Sequence, residues 1–159
     1  MKERKNILKI PPLVAQSSLR IESFGVVPFI KQDGEWKVLV ILHREGNHWG
    51  FPKGKADPNE TPLESARREL KEETGLNILE LLVEKPFMEQ YQFRRKREIV
   101  IKTVQYFPAR VDGDLQIQEE EIRDAKWLSI QEALQQLTFK EARHILRECV
   151  RHLNLSHGK

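Results

Sequence analysis

The sequence predicts an α/β fold in which a mixed β-sheet lies between helices. Apolar β-rich stretches stand before, around and after one central helical segment, Thr61 to Thr74. The strongest of them, Ile99-Val-Ile-Lys-Thr-Val-Gln-Tyr-Phe107, follows that helix. Two further helical patterns, each opened by a capping-box spacing, close the chain. The 159 residues suit one domain with its own core.

In chain order, residues 1–19 read as a flexible leader, because Pro11-Pro12 and Ser17-Ser18 argue against a regular element. The domain proper is expected over 20–155, with a disordered tail at 156–159. Ile21 to Ile30 reads as a strand and Trp36 to Leu42 as a second, joined by the turn Gln32-Asp-Gly-Glu35. Gly46 to Pro58, rich in Gly, Pro, Asn and Lys, reads as a loop. Thr61 is placed to cap the central helix, with Glu64 three residues on, Pro62 at the first helical position and Gly75 as a left-handed stop. Leu76 to Phe87, Glu89 to Phe93 and Glu98 to Val111 are strand-rich. Ser129 with Glu132, and Thr138 with Glu141, open the last two helices. The final helix carries Ala142, Ile145, Leu146, Cys149, Val150 and Leu153 on one core-facing stripe.

Composition excludes several classes. The hydrophobic fraction of 39% and charged fraction of 32% are those of a soluble folded chain. No apolar run approaches the roughly 20 residues of a membrane-spanning helix, and residues 1–20 hold no signal-peptide core. Cys149 stands alone and cannot form an internal disulfide, which fits a reducing compartment, and a cytoplasmic location is expected. The net charge of +3 is too small for a dedicated nucleic-acid binder. The basic residues are uneven, however. Arg94, Arg95, Lys96 and Arg97 form one run, readable as a solvated hairpin tip or as a phosphate-facing patch.

The central helix concentrates the chemistry. At about 100° per residue, Glu69, Glu72 and Glu73 crowd a single arc, while Leu63, Ala66 and Leu70 form an adjacent apolar one. Like charges so placed are mildly unfavourable, and Arg67, Arg68 and Lys71 project elsewhere around the cylinder. Hard cations such as Mg²⁺ or Mn²⁺, which take oxygen ligands, make such crowding favourable. The loop Trp49-Gly-Phe-Pro-Lys-Gly-Lys55 runs into this helix, with Gly54 able to approach a ligand and Lys53 and Lys55 able to meet a phosphate. Glu60 is placed to pair with Arg68 and hold loop to helix. No Walker loop, nucleophile elbow or Cys/His zinc pattern is present.

Gly54, Glu60, Arg68-Glu69-Leu70, Glu72-Glu73 and Gly75-Leu76 together resemble the Nudix box at every defined position. The resemblance implies an α/β/α sandwich and hydrolysis of a nucleoside diphosphate linked to another moiety. It implies that Glu69, Glu72 and Glu73 bind the metals and that Arg68 orients a glutamate. It extends from about Ser23 to about Cys149. His48-Trp-Gly-Phe-Pro-Lys-Gly54 is similar to the corresponding loop of asymmetrical diadenosine tetraphosphate hydrolases, in which a His and a Lys contact the polyphosphate; Phe51 departs from the second proline of some relatives. The same likeness implies that Glu121, six residues before Trp127, reaches the metals, and that Tyr91 and Phe139 clamp a base. Each has an ordinary alternative: an acidic loop for Glu119-Glu-Glu121, and core or rim aromatics for the rings. Arg95 and Lys102 are candidates to attract the phosphates, and His43 and Arg44 lie where they can face the site.

The reaction so implied is water attack on one phosphorus of diadenosine tetraphosphate, giving ATP and AMP, with Glu72 or Glu121 as general base and Lys53 with His48 at the leaving phosphate. Removal of pyrophosphate from RNA 5′ ends or from nucleoside triphosphates is the alternative, and a non-catalytic nucleotide-binding domain a third reading, against which the intact glutamates argue. A monomer is expected.

Overall fold

In the computed structural model, which describes residues 17–156, the chain runs β1 (Ser17–Gln32), β2 (Glu35–His43), β3 (His48–Gly50), β4 (Lys53–Lys55), α1 (Pro62–Thr74), β5 (Asn77–Leu81), β6 (Phe87–Arg95), β7 (Glu98–Asp112), β8 (Ile122–Ser129), α2 (Ile130–Gln136) and α3 (Lys140–Ser156). The turn between β1 and β2 has Asp33 at φ 53° and Gly34 at φ 80°, the pair of positive angles that a two-residue hairpin turn of matching twist requires. β1 and β7 form the spine, pairing in parallel from Ser17 opposite Glu98 to Phe29 opposite Arg110. Every other pairing is antiparallel: β2 with β1, β3 and β8, β4 with β1, and β5 and β6 with β7. The sheet is therefore mixed.

Successive strand residues point to opposite faces and so feed two cores. Val26, Leu39, Ile41 and Phe107 join Ala66 and Leu70 of α1 on one face. Val27, Val38, Val40 and Tyr106 join Ala133 of α2 and Ala142, Ile145, Leu146, Cys149 and Leu153 of α3 on the other. The α/β/α sandwich is what forms. Burying a Leu-sized side chain stabilises by about 1.5–3 kcal/mol. Leu70, at 1% exposure, thus outweighs the few tenths of a kcal/mol that crowded glutamates cost α1.

Both ends of α1 follow from local chemistry. Thr61 Oγ1 accepts the Glu64 N–H (3.1 Å), and Glu64 Oε1 accepts the Thr61 N–H (2.9 Å). Gly75, at φ 80°, ends the helix by donating its N–H to the Lys71 carbonyl. The Ser129–Glu132 box also forms.

Three expectations need correction. The segment read as a loop over 46–58 contains β3 and β4, because its backbone finds partners on β2 and β1. β1 begins at Ser17, inside the expected leader, because residues 17–19 pair with β7; residues 1–16, on which the rest of that expectation falls, and 157–159 of the expected tail lie outside the described residues. α3 begins at Lys140, so Thr138 stands one position ahead of the cap, and its hydroxyl accepts the Trp49 N–H (2.9 Å). Among the described residues no helix is long and apolar enough to cross a membrane.

Candidate active site

The site forms where the loop carrying β3 and β4 meets α1 and the segment between β7 and β8. Phe51, fully buried and set edge-on to Tyr106 (centroids 5.6 Å apart), anchors the loop in the α3-side core. Val26 N–H donates to the Pro52 carbonyl (3.1 Å), bringing the following Lys53-Gly54-Lys55 strand onto β1. Gly54 then lies against the Glu69 carboxyl. A Cβ at that position would stand 2.0 Å from its Cδ, so no other residue fits without displacing the glutamate.

Arg68 ties loop to helix. Its Nε donates to Glu60 Oε2 (2.8 Å) and lies 3.2 Å from Asp57 Oδ2, and its Nη2 donates to the Lys55 carbonyl (2.7 Å). Nη1 donates to Glu69 Oε2 (3.0 Å) and Glu72 Oε1 (3.2 Å). Glu60 also accepts the Ser65 hydroxyl (2.7 Å) and the Asp57 N–H (2.9 Å). These donors, Arg68 first, hold its carboxyl down at about 2, and the same bond raises Arg68 above its ordinary value.

The acidic arc behaves differently. Glu73 is 3% exposed, and burial, reinforced by the Glu69 charge, pushes its carboxyl up to about 8. The Lys53 N–H donates to its Oε1 (3.2 Å), which offsets only part of that rise. Burial likewise raises Glu69, against the pull of Arg68. Glu121 acts on both Glu69 and Glu73 through its charge. Its segment is held by Gln116 N–H to the Thr74 carbonyl (2.8 Å), Gln118 N–H to the Glu73 carbonyl (3.1 Å) and Arg44 N–H to the Glu121 carbonyl (2.8 Å). The four carboxylates named from the sequence are thus electrostatic neighbours.

The donor set suits a hard divalent cation: carboxylate oxygens only, two of them destabilised as anions by burial, in a cradle where a Cβ would intrude. Among the described residues, no three His, Cys, Asp or Glu side chains are already gathered around one point fit for an ion. Arg68 Nη1, between Glu69 and Glu72, supplies positive charge there instead.

On the α3 side of the loop lies a small recess lined by His43, His48, Lys53, Glu89, Tyr106 and Phe139, among others. His43 is buried, its Nε2 lies 3.0 Å from the Phe51 carbonyl, and its ring stacks on His48 (4.7 Å). His48 in turn tilts against Phe139 (5.2 Å). The bond from Trp49 to Thr138, and a return bond from the Thr138 N–H to the Trp49 carbonyl (3.3 Å), hold those elements together. His48, Lys53 and Phe139 are therefore brought together as the sequence suggested. Tyr91 is half-buried on β6, stacked on Phe93 (6.4 Å) and paired in register with Lys102 on β7. Arg95 lies farther out at the hairpin end, in an exposed ion pair with Glu98 (3.4 Å). Sequence reasoning passed over Glu89, whose one signal was a carboxylate in a strand register otherwise occupied by Phe87, Tyr91 and Phe93.

A model of the NUDIX domain matches residues 19–149. The rat bis(5′-nucleosyl)-tetraphosphatase (asymmetrical) is 38% identical over 113 residues, covering 69% of this chain and 76% of its own length. An RNA pyrophosphohydrolase of Bartonella henselae is 36% identical over 77 residues, covering 45% of this chain and 44% of that protein. The structure superposes on that of a C. elegans Ap4A hydrolase binary complex with a TM-score of 0.66 at 23% identity, covering 84% of this chain and 97% of that one. With the glutamates of the acidic helix intact and the fold matched, the chain belongs to the NUDIX family and is a Nudix hydrolase.

Proposed function

We infer that the protein hydrolyses dinucleoside polyphosphates, diadenosine tetraphosphate in particular, to ATP and AMP. The observation that carries this reading is the double role of Lys53. Its backbone N–H meets the carboxylate of Glu73 at 3.2 Å, while the residue lines the recess shared by His48 and Phe139. A ligand with a phosphate chain beside a flat base fits that sequence of groups, because ring stacking tolerates base identity and cations meet phosphate. The similarity to the rat tetraphosphatase supports the same substrate class.

Glu69, Glu72, Glu73 and Glu121 would hold Mg²⁺ or Mn²⁺. When bound, the metal lowers the pKa of water and neutralises charge on the phosphate oxygens. Glu72 or Glu121, both exposed at the mouth, takes the proton as the water oxygen bonds to phosphorus. The P–O bond to the bridging oxygen breaks, and that oxygen leaves with its electron pair as a phosphate end stabilised by Lys53 and His48. Arg68 and Glu60 keep Glu69 facing the loop. Tyr91 and Phe139 hold the base, and Lys102, opposite Tyr91, faces the phosphates.

RNA 5′-pyrophosphate removal is kept as a second reading on one observation. The β6–β7 hairpin presents Arg94, Arg95, Lys96 and Arg97 to solvent, and an RNA pyrophosphohydrolase is among the relatives. The test is incubation with Mg²⁺, diadenosine tetraphosphate and 5′-triphosphorylated RNA, followed by product separation. ATP plus AMP, formed far faster than RNA is converted, is expected. Faster conversion of RNA would reverse the order of the two readings, and no turnover of any nucleotide would sink both.

A further inference from the structure

Strand β6 alternates, and the register that carries Phe87, Glu89, Tyr91 and Phe93 turns toward α3. Phe87 packs on that core, and Val104, paired with Glu89, belongs to it. Glu89 thus occupies a position that an apolar side chain would fill in an ordinary sheet, and it is 6% exposed. Burying a carboxylate there costs several kcal/mol unless other groups compensate it. Such a residue in a folded protein has a compensating neighbour and, where it lines a cleft, a reason tied to function.

The neighbour is identifiable from the recess itself. That recess has room for about one water molecule, so the side chains that line it converge on one small space. Its basic members are Lys53, His48 and His43; its acidic member among the lining residues is Glu89. Tyr106 supplies a phenol, and Phe139 and Ala142 close the α3 side. Lys53 and His48 sit on short strands of three residues each, whose pairing with β1 and β2 fixes the backbone but not the ends of the two side chains. A buried anion behind them supplies what the short strands lack.

We propose that Glu89 is a positioning residue whose buried carboxylate is the counter-charge fixing Lys53 and His48 toward the phosphate chain. It touches neither substrate nor metal. The inference rests on the polyphosphate reading for the role of Lys53 and His48, but not for the placement of Glu89. Removing its charge should leave the two side chains present but misdirected, an effect felt in the transition state more than in binding.

The test uses the full chain with Mg²⁺ and diadenosine tetraphosphate. Glu89→Gln keeps the shape and removes the charge, and a melting curve beside the parent's separates loss of turnover from loss of the fold. Its kcat should fall about 10–100-fold, the range for losing a group that orients a functional side chain, while KM changes little. Glu89→Asp should recover part of the loss. In a background of His48→Ala and Lys53→Ala, adding Glu89→Gln should cost nothing further, since the groups it orients are gone. Unchanged kcat in Glu89→Gln, or an undiminished loss in that background, overturns the proposal. If the parent chain turns over no polyphosphate, the functional reading fails by itself. Glu89 is then judged by NMR titration of the metal-free protein: the His48 midpoint should fall in Glu89→Gln while that of exposed His144 stays, and an unmoved His48 overturns the proposal.

Discussion

Two runs of like charge stand in this sequence, and the structure treats them in opposite ways. Glu69 and Glu73 are pressed by α1 against the loop, with Glu72 exposed beside them: Glu73 is 3% exposed, Glu69 lies against Gly54, and both carboxyls are raised by burial. Arg94 to Arg97 close the β6–β7 hairpin in solvent, where Arg95, its side chain 54% exposed, pairs with Glu98. Charge at the hairpin is stabilised by water and demands nothing of its surroundings. Charge on Glu69 and Glu73 has been taken from water and must be met by Arg68, by Lys53 or by a cation. The two runs differ in sign and spacing, but each reads in the sequence simply as a cluster of like charges; solvation is what separates the site from the surface.

The comparison breaks first at Glu73. Glu73→Gln should lower turnover by more than about 10²-fold, beyond the loss typical of a residue that only orients a ligand. The same change should raise the melting temperature of the metal-free protein above pH 8, because a buried charge is removed. Activity within a few fold of the parent would mean that α1, like the hairpin, is only a charged face. Gly54→Ala comes next. Its Cβ would stand 2.0 Å from Glu69 Cδ, so carboxyl or loop must move, and a misplacement near 1 Å costs about 10² in rate. A steady-state assay with a melting curve separates this from unfolding.

The pH dependence of stability sharpens the same contrast. Glu73 titrates at about 8 in the fold against 4.5 ordinarily, so the stability it contributes is complete below 4.5 and is lost as pH rises toward 8. Glu60, held at about 2, contributes stability present above 4.5 and lost as pH falls toward 2. Metal-free protein should therefore lose melting temperature between pH 5 and 8, about where most domains are near their best. Mg²⁺ should flatten that decline by favouring the ionised glutamates. A rising melting temperature over that range without metal would contradict the burial of Glu73.

Periodicity made α1, its caps and most strands legible, since Thr61, Glu64 and Gly75 act within one turn of the backbone they serve. The pairing of Glu60 with Arg68 was legible too, through the family pattern as much as through spacing. β3 and β4 were not, because three-residue strands exist only through partners that are distant in sequence. Nor was the tertiary use of Thr138: a hydroxyl near a helix start reads as a cap, and its bond to Trp49 spans 89 residues. Glu89 failed for a related reason. A glutamate in a strand reads as solvent-facing until the register shows which way it points.

The smallest effect belongs to the hairpin. Replacing Arg94, Arg95 and Arg97 together by Ala should change kcat/KM for diadenosine tetraphosphate by less than about fivefold, since exposed charge contacts contribute about 0–1 kcal/mol. The same variant should show a shallower salt dependence with triphosphorylated RNA, because each lost phosphate contact lowers the slope of log affinity against log salt by about 0.7 on a single strand. A large loss on the dinucleotide would place the tip within its binding site and erase the distinction between the two runs. A loss confined to RNA would leave the acidic helix as the reaction centre and make the hairpin a selector among polyphosphate substrates. Measured at two salt concentrations, the pair of substrates separates these outcomes.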